Sequence, residues 1–86
     1  MYSIFFTKQA LKDRRLIAGA GLERRAKALL AVLAQDPFKS PPPYEKLVGN
    51  LSGFYFRRIN IRHRLVYSVH EAERAVKILR MWTHYE

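Results

Sequence analysis

Two arginines and a lone acid stand where chemistry on an anion could be done. Arg58 and Arg64 flank a polar break, Asn60 to Arg62, inside the stretch Asn-Leu-Ser-Gly-Phe-Tyr-Phe-Arg-Arg-Ile-Asn-Ile-Arg-His-Arg-Leu-Val-Tyr-Ser-Val that runs from Asn50 to Val69. A turn centred on Ile61 sets them directly opposite each other on a hairpin, where like charges destabilise a strand pair. An anion is the simplest missing partner, because the guanidinium fork holds phosphate oxygens in a bidentate way and keeps its charge near neutral pH. Water is the other: both side chains could lie out over the surface. Glu45, between a proline run and the basic hairpin, and His84, near the end of the chain, are the candidates for proton transfer. Imidazole is the side chain whose ordinary pKa lies near working pH. Tyr85 could stack on a base or supply a hydroxyl. The plainer readings are a solvated acid at Glu45 and a frayed aromatic end at His84 and Tyr85, since terminal residues are often poorly ordered. His63 and His70 read as turn residues, with no spacing between them that suggests a metal.

These residues need elements to hold them. Aromatic and β-branched residues bounded by Ser52-Gly53 predict a hairpin, Phe54 to Ile59 and His63 to Val69. Ahead of it, Tyr2 to Phe6 predicts a short strand, and Thr7 an N-cap for a helix from Lys8. That helix carries Lys8, Lys12, Arg14 and Arg15, with Ala10, Leu11 and Ile17 facing inward. Gly19-Ala20-Gly21 breaks it. Leu22, Ala26, Leu29, Leu30 and Leu33 then form one apolar stripe at helical period, with Arg24, Arg25 and Lys27 off it. Such a stripe is core. Asp36-Pro37 ends the second helix, since the residue before proline is pushed away from helical backbone. Pro41-Pro42-Pro43 predicts an extended segment leading to Tyr44-Glu45-Lys46-Leu47, and a last strand runs from about Ala75 to Trp82. The order βααβββ argues for an α+β fold: an antiparallel sheet with two helices packed on one face, and Arg64 looking out of the other.

Composition bounds the class. Eighty-six residues predict one domain, 1–86, with one small core. The absence of cysteine excludes disulfides and thiolate zinc sites. No run approaches the roughly 20 apolar residues of a membrane span, and the opening Met-Tyr-Ser-Ile-Phe-Phe-Thr-Lys lacks a signal-peptide pattern, so a cytoplasmic protein is expected. Sixteen Lys and Arg against seven Asp and Glu leave a net charge of +9, which implies a polyanionic partner.

The strings Asn50-Leu51-Ser52-Gly53-Phe54, Arg57-Arg58-Ile59, His63-Arg64-Leu65-Val66-Tyr67 and the terminal His84-Tyr85, with Pro37-Phe38 and Glu45 ahead of Leu47, closely resemble the YoeB-like (Txe) toxins of the RelE superfamily. The resemblance covers essentially the whole chain in order. It implies a RelE-like fold and a toxin of a type II toxin–antitoxin system: an mRNA interferase that cleaves messenger in the ribosomal A site and is neutralised by a YefM-like antitoxin. It implies Glu45 as general base on the ribose 2′-hydroxyl, Arg64 as the cation on the scissile phosphate, and His84 as the acid on the leaving 5′-oxygen. Arg58 and Tyr85 match positions that contact phosphate or base, and Lys46 stands in for a basic residue that Val48 replaces. No cofactor or metal is implied; a homodimer is a further expected assembly. The rival within the same fold is a ParE-like toxin that poisons DNA gyrase without ribonuclease chemistry, or a binding module without activity.

Overall fold

Thr7 joins the two layers of the molecule at its first turn. Its hydroxyl oxygen accepts the Ala10 N–H at 3.0 Å, capping the first helix, and its O–H donates to the Leu79 carbonyl at 2.9 Å on the last strand. The computed structural model describes residues 1–82, with Leu51 by its backbone only. In order the elements are β1 (Ser3–Phe6), α1 (Lys8–Gly19), α2 (Glu23–Gln35), β2 (Glu45–Lys46), a 3₁₀ turn at Gly49–Leu51, β3 (Phe54–Arg58), β4 (Arg64–His70) and β5 (Ala75–Arg80).

On α1 the buried positions are Ala10, Asp13 and Ile17, at i, i+3 and i+7. Leu11, expected inward, is 48% exposed, because it lies about 100° round the helix from Ala10. Gly21 turns the chain at φ +76°, backbone that side chains rarely adopt, and lets α2 fold back beside α1. The stripe on α2 packs as expected: Ala26, Leu29 and Leu33 are buried, with Leu22 and Leu30 at its margins. These side chains meet Leu65 and Tyr67 of β4 and Val76 and Ile78 of β5 in one core.

The strands form a single sheet in the order β1-β5-β4-β3-β2. The α+β expectation of two helices on one face holds, with two refinements. The sheet is mixed, because β1 pairs parallel to β5 while the other pairs are antiparallel. A two-residue strand, β2, also adds to the far edge. The central hairpin has the expected register, Arg58 opposite Arg64 about Ile61. Asn60 sets that turn: its side-chain oxygen accepts the N–H groups of Arg62 at 2.9 Å and His63 at 2.7 Å. The proline segment departs from expectation. It bends at Pro41–Pro42, with cis bonds at Ser40–Pro41 and Pro41–Pro42, and its carbonyls gather on a buried side chain described below.

Candidate active site

Glu45, Arg58 and Arg64 lie on the face of the sheet turned away from the helices. Strand alternation sends Phe54, Phe56 and Arg58 of β3 to this face and Tyr55 and Arg57 to the helix side. Across the edge, Glu45 pairs with Phe56, and Phe56 pairs with Val66, so Glu45 lies in the row beside the Arg58–Arg64 pair. Glu45 and Arg58 are exposed, while Arg64 is half-buried. The Arg64 guanidinium carbon lies 4.6 Å from the centroid of the Phe56 ring, a cation–π contact that fixes the long side chain above the sheet. Glu45 and Arg58 also line a small cavity of about 90 Å³, together with Pro42, Pro43, Tyr44, Phe56 and Arg57. One carboxylate and two permanent cations thus share three adjacent strands. Two guanidinium groups and a carboxylate so placed have the chemistry to hold a phosphate and to take a proton beside it.

Lys46 is not brought to this group. It pairs with Tyr55, so the pleat directs it to the opposite face from Glu45. His84 and Tyr85 lie outside the described residues. The chain leading to them is well held: Asp13, buried under α1, accepts from Arg80 Nε at 2.8 Å and from the Met81 N–H at 2.9 Å. Trp82 then stacks on His63, the residue before Arg64, with ring centroids 3.8 Å apart. Burial pushes the Asp13 carboxyl up, but the hydrogen bonds from Arg80, the Met81 N–H and Gln9 outweigh it and hold the group below its usual range.

Two further residues, not among those singled out from the sequence, lie beneath the site. Arg57 is 1% exposed and points inward, and Tyr67 is fully buried beside it. Burial pushes the Tyr67 hydroxyl up against the opposing pull of Arg57, so it stays a neutral donor. The signal was the register itself: with Arg58 opposite Arg64 and Leu65 inward, Arg57 had to point inward too.

The profile of the family described as "YoeB-like toxin of bacterial type II toxin-antitoxin system" matches residues 6–85. The chain belongs to this family. It is 42% identical over 65 residues to Toxin YoeB of Synechocystis, covering 76% of this chain and 73% of that protein. It is 37% identical over 87 residues to Toxin YoeB of Mycobacterium bovis, covering 99% of this chain and all of that one (100%). Among solved structures, the YoeB–YefM complex of Staphylococcus aureus superposes with a TM-score of 0.82 at 32% identity, over 99% of each chain. The YoeB dimer of the same organism gives 0.83 at 32% identity, over 98% of each. The protein is therefore a YoeB-family toxin of a toxin–antitoxin system.

Proposed function

We propose that this toxin is a ribosome-dependent mRNA interferase, an endoribonuclease that cleaves messenger in the A site and stops translation. The observation that carries the reading is the register that sets Glu45 in the row beside Arg58 and Arg64 on the sheet's open face. Glu45 takes the proton of the ribose 2′-hydroxyl as the 2′-oxygen attacks phosphorus. Arg64 holds the scissile phosphate and the charge that builds on its oxygens, where a fixed cation contributes most. The P–O5′ bond breaks as His84 gives its proton to the leaving oxygen, leaving a 2′,3′-cyclic phosphate. Arg58 holds a phosphate, and Tyr85 stacks on a base. Lys46, on the other face, adds only charge at the edge.

The toxin acts in the cytoplasm, where its substrate is, and no helix among the described residues is long and apolar enough to cross a membrane. A YefM-like antitoxin neutralises it, as the Staphylococcus aureus complex suggests by analogy, and a homodimer is the expected free form. An acidic antitoxin segment and ribosomal RNA are both matched by a charge of +9. The test is to add purified toxin to programmed ribosomes, to the same message without ribosomes, and to gyrase, mapping breaks by primer extension. Cleavage confined to the A-site codon and dependent on ribosomes is expected. An intact message together with inhibited supercoiling would overturn the reading in favour of a gyrase poison.

A further inference from the structure

Arg57 is the one buried Lys or Arg among the described residues, and no carboxylate balances it. A buried cation is costly unless its donors are satisfied. Here the two terminal nitrogens donate to backbone carbonyls of a single segment, and Nε to a buried hydroxyl. Nη2 donates to Pro37 O at 3.0 Å and Lys39 O at 2.7 Å, and Nη1 to Pro42 O. Nε donates to the Tyr67 hydroxyl at 3.2 Å, and that hydroxyl donates in turn to Pro37 O at 2.9 Å.

The segment so held, 37–44, leads directly into Glu45. Its three consecutive prolines have no N–H, so the stretch 41–43 has no backbone donors with which to join a ladder. There the backbone offers carbonyls, and a guanidinium, with five donors and no acceptor, is their chemical complement. β2 is too short to fix Glu45 by itself: it has two residues at the edge of the sheet, followed by the Leu47 N–H to Phe54 O bond at 2.9 Å. The Tyr44 ring completes the holdfast, 5.1 Å from the Arg57 guanidinium carbon and packed on Phe38 and Tyr55. Arg57 also lies between Phe56, the partner of Glu45, and Arg58 on the same strand. Fastening the strap to Arg57 therefore fixes the carboxylate in the same frame as the phosphate-facing arginines.

We propose that Arg57, with Tyr67, is a positioning residue for Glu45: it clamps the proline strap so that the carboxylate meets the 2′-hydroxyl in line with the phosphate held by Arg64. The proposal rests on the reading of Glu45 as general base. A misplacement of about 1 Å at a reacting group can cost roughly a hundredfold in rate.

The experiment pairs Tyr67→Phe, which keeps the ring and removes both hydrogen bonds, with Arg57→Lys, which keeps the charge and loses the fork. Each is made in the wild-type and the Glu45→Gln background. Single-turnover cleavage on programmed ribosomes is expected to fall about tenfold for Tyr67→Phe and about a hundredfold for Arg57→Lys at saturation, with the half-saturating ribosome concentration within about twofold. In the Glu45→Gln background the same substitutions should change the residual rate less than about twofold, the non-additivity of groups acting together. Amide exchange over residues 38–46 should quicken in both variants. Equal losses in the two backgrounds, weakened ribosome affinity at an unchanged saturated rate, or unchanged exchange over 38–46 would each overturn the clamp. If Arg57→Lys does not fold, Tyr67→Phe decides by itself. An inactive wild type overturns the interferase reading and the positioning role with it, while exchange still reports whether the strap is held.

Discussion

At the scale of single residues, the Glu45 carboxylate is exposed in the free toxin. An ionised carboxylate in water is a weak base near neutral pH. On the proposed function, docking on the ribosome would withdraw the site from water and strengthen the base, so that cleavage waits for those surroundings. In ribosome-bound cleavage, the rate of the wild type should rise along a limb set by one deprotonation. Glu45→Gln should lose that limb and about 10²–10⁴ in rate. A variant with the wild-type profile and rate would remove Glu45 as the base. The placement of residues was only half legible in the sequence. Arg58 and Arg64 could be set opposite each other because a turn about Ile61 fixes the register of the hairpin. Arg57 looked like one more surface charge beside Arg58. Its burial depends on a proline strap that crosses it 15 to 20 residues away in the chain.

At the scale of elements, Asp13 fastens α1 to the end of β5, some 67 residues on. Its carboxylate gathers Arg80, the Met81 N–H and Gln9, and Arg80 reaches the Trp82 carbonyl at 3.3 Å. Asp13→Ala leaves a buried N–H without its acceptor and a partly exposed arginine without its acid. The expected loss is about 2 kcal/mol, or roughly 10 °C in Tm for a domain of this size. Because the folded carboxyl sits below its unfolded value, its stabilisation is complete above the ordinary carboxylate range. It is lost as pH falls through the folded value. The gap in Tm between wild type and Asp13→Ala should therefore be constant from about pH 5 to 7 and shrink below about pH 4. Calorimetry showing the same gap at pH 3 would contradict the latch. Elements whose signals are local were legible: the Thr7 cap, the α2 stripe and the Asn60 turn. Those formed by distant pairing were not, namely the parallel match of β1 to β5, the edge strand β2, and the inward turn of Asp13 on α1, where Leu11 instead faces out.

At the scale of the whole molecule, the layered fold sorts its charge. Helices seal one face of the sheet, and Arg58 and Arg64 occupy the other beside an exposed acid. Arg24, Arg25 and Lys27 stay exposed on α2, off its buried stripe. On the proposed function they would add a diffuse field to ribosome binding, so reversing all three charges should weaken binding and lower the salt slope of log affinity by about 2. An unchanged slope would assign binding to the site face alone. The open face is the central claim, and Arg64 tests it most directly. Single-turnover cleavage of an A-site codon by Arg64→Ala, at saturating programmed ribosomes, should be slower by about 10²–10³ at nearly unchanged ribosome affinity, the expected loss of a cation stabilising the transition state. A rate within about threefold of the wild type would contradict the account, because the phosphate would then be held elsewhere.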